Sequence, residues 1–294
     1  IPAGTDFRLT HWPMLQKGII KTSVLLLVCC LSSCGTVSIY QEPDKPIFHS
    51  NLINSDTVQH GDFLKVVSFN IEKSEKIEEA ITELTNFEKI KDIDIYLLQE
   101  MDEKGVDAIA KKLNLNYLYI PIVYNNLLKK NMGNAILTKG TIHYYEKLIL
   151  PNSKWTNNRR RHATIGQVNI HDKEILVYSV HTETIVMSRK KRMEQVDSLI
   201  EHIKMKIPDY QYILTGGDFN ALLSKDSKLV VKKFIDAGFD WSTSTAGSTG
   251  KAFFGLLKPT HDYIFSRGLK SMDAGKIEAS RSSDHYPIYT ELQY

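Results

Sequence analysis

Four apolar, β-rich runs follow one another between Tyr117 and His181: YLYIPI (117–122), GNAILT (133–138), ATIGQVNI (163–170) and EILVYSVH (174–181). No stretch between them carries apolar residues at helical spacing. Parallel neighbours need a long crossover, usually a helix, so these runs exclude a single doubly wound parallel sheet. Outward from them the pattern alternates. Upstream, LKVVSFNI (64–71) and IDIYLLQ (93–99) read as strands. Between them Ile77, Ile81, Leu84 and Phe87 predict a helix within 73–90, and Val106, Ile109, Ala110 and Leu113 predict another. Downstream, Met193, Val196, Leu199, Ile200 and Ile203 predict a helix, followed by a strand over 210–215 and a helix over 229–237. Strands over 261–266 and 286–292 close the chain. The fold class is α/β: two mixed β-sheets packed face to face and flanked by helices.

Composition agrees with a globular domain. Of 294 residues, 42% are hydrophobic and 24% are charged, and mean hydropathy is mildly negative, which excludes disorder and a polytopic membrane protein. The net charge is +3. Residues 1–34 carry Arg8, Lys17 and Lys21 against Asp6, which leaves the rest of the chain at +1. A domain so near neutrality offers no general attraction for nucleic acid, only local patches. Cys29, Cys30 and Cys34 are the three cysteines. Beyond residue 34 there is therefore no disulfide, thiol nucleophile or zinc–thiolate site.

Residues 14–35, MLQKGIIKTSVLLLVCCLSSCG, have the form of an export signal. Lys17 and Lys21 precede a short apolar run, Ser23–Leu31, with Met14 as the expected start. Leu31-Ser32-Ser33-Cys34 resembles the box that marks bacterial lipoproteins, with Cys34 as the lipidated residue. The expected organisation is an upstream extension and signal over 1–34, a polar tether over 35–62 and a folded domain over 63–294. The expected location is the cell envelope, lipid-anchored, with the outer membrane favoured.

The unusual feature is what stands at the strand ends. Strand 64–71 ends at Asn70 and Glu72, strand 93–99 at Glu100, and strand 174–180 at His181. Strand 210–215 runs into Gly216-Gly217-Asp218-Phe219-Asn220. His261-Asp262 opens the next strand, and Ser283-Asp284-His285 precedes the last. Each alone suits a turn or a solvated end. Together they gather hard oxygen ligands suited to Mg²⁺ or Mn²⁺ and two imidazoles that titrate near neutrality.

The series Phe69-Asn70-Ile71, Gln99-Glu100, Gly133-Asn134-Ala135-Ile136-Leu137, His181, Gly217-Asp218-Phe219-Asn220-Ala221, Asp262-Tyr263-Ile264-Phe265 and Ser283-Asp284-His285-Tyr286-Pro287 resembles the endonuclease/exonuclease/phosphatase superfamily, in that family's order. The resemblance implies a four-layer α/β sandwich and in-line attack of water on a phosphoester with Mg²⁺ (or Mn²⁺) as cofactor. It implies metal contacts at Asn70, Glu100 and Asp284. Asp218 and Asn220 would orient the water, Asp262 would hold His285, and His181 and His285 would act at the phosphate. Asn134 and Arg161 would contact substrate phosphate, Arg161 within the basic run Arg159-Arg160-Arg161-His162. Arg192 and Gln195 would brace the site edge, and His261 would be a turn residue or a group supporting the site from behind. Ser179 stands where the family's N-T-H-L run has asparagine, and retention of His181 resembles the two-histidine members. That class includes deoxyribonucleases, sphingomyelinases and inositol polyphosphate phosphatases, so the expected activity is a phosphodiesterase, with endonuclease among the options. Hydrolysis of phospholipid or sphingomyelin headgroups, or of phosphomonoesters, stays open. A non-catalytic surface lipoprotein would predict erosion at Asp218, Asp284 or His285, and all three are present. Expected partners are a nucleic acid or phospholipid-headgroup phosphoester and the membrane, with the protein a monomer. An apolar patch at Phe253–Leu257 would meet lipid if exposed.

Overall fold

In the computed structural model, which describes residues 37–53, 61–154, 158–251 and 259–294, the apolar runs form strands. In chain order the elements are β1 Val37–Ile39, β2 Phe48–Ser50, β3 Phe63–Asn70, α1 Ile77–Asn86, β4 Ile95–Met101, α2 Glu103–Leu113, β5 Asn116–Asn125, β6 Lys130–Thr138, β7 Thr141–Ile149, β8 His162–Ile170, β9 Lys173–His181, α3 Arg189–Lys206, β10 Tyr212–Asp218, α4 Ser224–Asp236, β11 Asp240–Trp241, β12 Asp262–Arg267, β13 Lys270–Lys276 and β14 Ile288–Gln293. One sheet has the order β1-β5-β6-β4-β3-β14-β13, with β2 also on β5; the other has β11-β12-β10-β9-β8-β7. Both are mixed: β3–β4 and β9–β10 are parallel, and the other pairs are antiparallel.

Alternation along each strand assigns the layers. Leu64, Val66, Ile95 and Leu97 from the first sheet meet Val177, Leu214 and Ile264 from the second in a core between the sheets. The intervening residues, Val67, Phe69, Tyr96 and Leu98, face outward under Ala80, Ile81, Leu84, Val106 and Ile109 of α1 and α2. On the far side Leu176, Tyr178 and Val180 lie under Val196, Leu199 and Phe234 of α3 and α4. The result is helix, sheet, sheet, helix, as expected. A strand buried on both faces reads as a continuous apolar run, which is why these strands were legible. Each such Leu or Ile side chain, fully buried, stabilises by about 1.5–3 kcal/mol.

The elements that sequence patterning passes over are the exposed ones. β7 and β13 are half-exposed edge strands, and β13 reads KSMDAGK. Part of the stretch taken as a tether is also structured. Val37–Ile39 and Phe48–Ser50 pair with β5, and the buried Lys147 donates to the carbonyls of Glu42 and Lys45. The signal segment with Cys34 and the Phe253–Leu257 patch lie outside the described residues. Among the described residues no helix is long and apolar enough to cross a membrane.

The topology sets the site. Parallel pairing aligns Asn70 with Gln99 at the end of β3 and β4. It likewise aligns His181 with Asp218 at the end of β9 and β10, where antiparallel β12 begins with Asp262 opposite Asp218. Gly217 permits that closeness. Its φ is 143°, and a Cβ there would stand 1.9 Å from the Val180 carbonyl oxygen.

Candidate active site

The polar strand ends converge at the seam between the two sheets. Asn70, from the first sheet, donates its amide to Asp218 Oδ2 of the second at 3.1 Å and accepts the Glu72 N–H at 3.0 Å. The Asn220 N–H holds Asp218 Oδ1 at 2.8 Å, and the Asn220 amide is anchored on the Thr182 carbonyl at 2.9 Å. Asp218 is thus buried and fixed through both oxygens. Two imidazoles flank its Oδ2, His181 Nε2 at 3.5 Å and His285 Nε2 at 3.8 Å. Beyond them lie Glu100 Oε1, 4.0 Å from His181 Nε2, and Asp284 Oδ1, 3.9 Å from His285 Nε2.

The two histidines are held in opposite states. His285 Nδ1 bonds to the buried Asp262 at 2.9 Å. Burial opposes its charge, but the carboxylates of Asp262 and Asp218 prevail and push its pKa up to about 10. His285 is therefore an imidazolium with Nε2–H facing the cleft. His181 Nδ1 instead faces Arg161 Nη1 at 3.0 Å. A guanidinium only donates, so Nδ1 accepts and the ring proton sits on Nε2. Burial first, then the charges of Arg161 and Arg159, hold His181 well below the ordinary imidazole range. It is a neutral donor.

Backbone strain marks two of these residues. Glu100 has φ 57° and Asn220 φ 47°; left-handed backbone at residues other than glycine costs on the order of 1–3 kcal/mol and clusters at functional sites. At Glu100 the β4–β6 register breaks between Leu98 and Met101, which turns the carboxylate from the ladder into the cleft wall beside His181.

Four carboxylates (Glu100, Asp218, Asp262 and Asp284) meet one imidazolium here, an excess of hard negative charge that fits a divalent cation. Asp218, Asp262 and His285 bring one ligand atom each within 4.8 Å of one another. Asp262 and His285 are already each other's hydrogen-bond partners, however, so a cation in that trio would have to displace their proton. Glu100 and the exposed Asp284 are the freer oxygen donors. Asn70, expected at the metal, has its amide on Asp218 instead.

Two further roles differ from expectation. Asn134 spends its amide hydrogens on the carbonyls of His162 (3.0 Å) and Ser179 (3.2 Å), bridging the sheets, so no N–H is left for phosphate. Arg161 is turned onto His181 and, at 3.4 Å, onto Glu183. His261 sets its ring 5.4 Å from that of His285, tilted by 41°. Arg192 does brace the edge: it reaches Asp226 of α4 at 2.6 Å and the carbonyls of Met187 and Asn220. Gln195 holds the Glu183 N–H at 2.9 Å and the Pro151 carbonyl.

Sequence reading missed Glu183 and Glu83. Glu183 is fully buried behind Arg159 and Arg161, and its only signal was a carboxylate two residues past His181. Glu83 on α1 receives Ser280, Arg281 and Ser282 and so shapes the turn into His285. Ser283 ties the same turn to the Asn70 carbonyl at 2.7 Å.

The family profile described as "Endonuclease/Exonuclease/phosphatase family" matches residues 67–285. No curated protein matches the sequence. Among solved structures, D. rerio TDP2 complexed with single strand DNA product has a TM-score of 0.62 at 17% identity, covering 80% of this chain and 100% of that one. The endonuclease/exonuclease/phosphatase from Beutenbergia cavernae has a TM-score of 0.63 at 14% identity, covering 79% and 72%. That from Bacteroides vulgatus has 0.62 at 14%, covering 79% and 99%. At these identities the likeness is one of fold.

Proposed function

The chain belongs to the endonuclease/exonuclease/phosphatase family, and from that premise we propose that it is a metal-dependent phosphodiesterase that attacks phosphate with water. One observation carries the reading: Asp218 Oδ2 stands between two imidazole N–H groups of different charge. Asp218, held through both oxygens, takes the proton of the attacking water. His285, charged and fixed by Asp262, donates Nε2–H to the phosphate as negative charge builds. His181 donates Nε2–H from the other side without adding charge. A divalent cation held by Glu100 and Asp284 would supply Lewis-acid neutralisation of the phosphate. Nucleic acid is the first substrate class to examine, because D. rerio TDP2, similar in fold, was solved with a single strand DNA product. The protein acts as a monomer, anchored in the cell envelope through Cys34. The supporting observation for the anchor is the signal pattern of residues 14–35.

The test is turnover of bis-p-nitrophenyl phosphate, p-nitrophenyl phosphate, plasmid DNA and sphingomyelin with Mg²⁺, with Mn²⁺ and with EDTA, beside Asp218→Asn. Cation-dependent turnover, lost in the variant, is the expected result, and the preferred substrate names the subclass. A folded protein inert on all four would sink the reading. For the anchor, a Cys34→Ser chain should leave the membrane fraction; unchanged partitioning would refute acylation.

A further inference from the structure

Exposed apolar side chains gather at the end of the sandwich that carries the site. Among the described residues, Leu127 and Leu128 stand in the β5–β6 turn, Ile185 and Val186 in the loop after His181, and Leu223 in the loop after Asp218. Single exposed apolar residues are ordinary, whereas a group of them on one face marks a contact surface. Leu127, at 72%, is the most exposed of the five. The arms of its hairpin line the cleft through Ile122, Val123 and Met132. The Asn125 side-chain oxygen accepts the N–H groups of both Leu127 and Leu128 at 3.0 Å, which fixes the turn with the two side chains in solvent.

The exposed charge on these loops has one sign. Within 125–130, 182–191 and 219–225 the only acid is Glu183, which is fully buried. Lys129, Lys190, Lys191 and Lys225 are exposed there. The N-terminal strand begins at the same place, because β1 runs along the end of β5 with Val37 opposite Asn125. Cys34 stands three residues before Val37, a reach of at most about 11 Å. An acyl chain on Cys34 would therefore hold this end of the molecule, and no other, against a bilayer.

We propose that this end of the sandwich docks on a phospholipid bilayer, with Leu127 and Leu128 in the interface and the lysines over anionic headgroups, so that the cleft opens onto the membrane surface. Affinity for such a surface grows with the apolar area buried and with attraction to anionic lipid. The orientation rests on acylation at Cys34. The leucines and lysines bind lipid with or without it.

The test is flotation of residues 35–294, which hold every described element and no cysteine. The vesicles are phosphatidylcholine alone and phosphatidylcholine with about a third phosphatidylglycerol. The partition coefficient should be about tenfold or more higher on the anionic vesicles. It should fall about tenfold in the double variant Leu127→Ser with Leu128→Ser, as two leucines leave the lipid. Met272→Ser removes a side chain 49% exposed on the edge strand β13, away from the three loops, and should change nothing. Lys190→Gln with Lys191→Gln should erase most of the preference for anionic vesicles, and keeps the test alive should the hairpin variant not fold. No binding to either vesicle, binding untouched by the hairpin substitutions, or a loss shared by Met272→Ser would overturn the proposal. So would a dimer, seen by sedimentation without vesicles, that the hairpin substitutions dissolve, since the surface would then belong to a second copy. Vesicle binding by residues 35–294 beside an unchanged membrane fraction for Cys34→Ser removes the anchor alone. Release of Cys34→Ser without vesicle binding by residues 35–294 removes the docking surface alone.

Discussion

At the scale of single residues, the site works by giving two identical side chains different charges, one cationic and one neutral. His285 owes its proton to the carboxylates of Asp262 and Asp218, and a pKa raised to about 10 fixes the sign of the pH dependence. The charged form is complete below the free imidazole value of ~6.5 and is lost as pH rises through about 10. Wild-type turnover should therefore hold on the alkaline side and fall only near pH 10. In Asp262→Asn the limb should move down toward neutrality, with kcat at pH 8 lower by about 10²–10⁴-fold, the usual worth of a positioned acid. An unmoved limb in the pH–rate profile would deny His285 that role. Glu100 gives a second prediction at this scale. Its left-handed backbone is one that glycine adopts freely, so Glu100→Gly should lose turnover and keep, or raise by a few degrees, its thermal midpoint. A clear fall in the midpoint would show that the backbone there is not strained. The types of these residues were readable from the sequence, because carboxylates and imidazoles at successive strand ends have few other purposes. The pairing of Asp262 with His285 was expected from the resemblance as well; the neutral state of His181 was not, because it depends on Arg161, which reaches the ring from the start of the neighbouring strand β8.

At the scale of elements, the loops that carry the site are positioned by helices on the outer face of the second sheet. Arg192 on α3 holds the fully buried Asp226 of α4 and two loop carbonyls, one before α3 and one beyond Asp218. Arg192→Met would strand Asp226 as a buried charge, shared then with the half-exposed Arg189 alone. A destabilisation of about 3–5 kcal/mol is expected, read as a lower urea midpoint, and Arg192→Met with Asp226→Leu should recover part of it. If the single and double variants unfold at the same midpoint, the pair is not what joins the helices. The apolar strands and the amphipathic helices were visible as periodicity because burial imposes it. β7 and β13 were not, since an edge strand with one face in water needs no apolar run. β1 and β2 were hidden for another reason. They are three residues each, and their pairing with β5 is a property of β5 as much as of their own sequence.

At the scale of the whole molecule, the excess of carboxylates at one end of the sandwich predicts linkage to a cation. Mg²⁺ at about a hundred times its dissociation constant should add roughly 2.7 kcal/mol, or several degrees of melting temperature for a domain of this size, and EDTA should return it. Equal melting with and without the ion would exclude a site built on Glu100 and Asp284. Asp218→Asn, lacking one carboxylate of the cluster, should gain less.

The same seam has a consequence in time. Ser283 anchors its turn on Asn70, 213 positions away in sequence, and β14 lies inside its sheet, between β3 and β13, rather than at the rim. Until residues 288–293 have zipped onto 63–70, there is neither a finished sheet nor a seated His285. Such distant pairing is slow to form, and a chain that has not yet closed it is chemically silent. Folding order thus serves as a safety catch: the site is armed by the last strand of the chain and not before it.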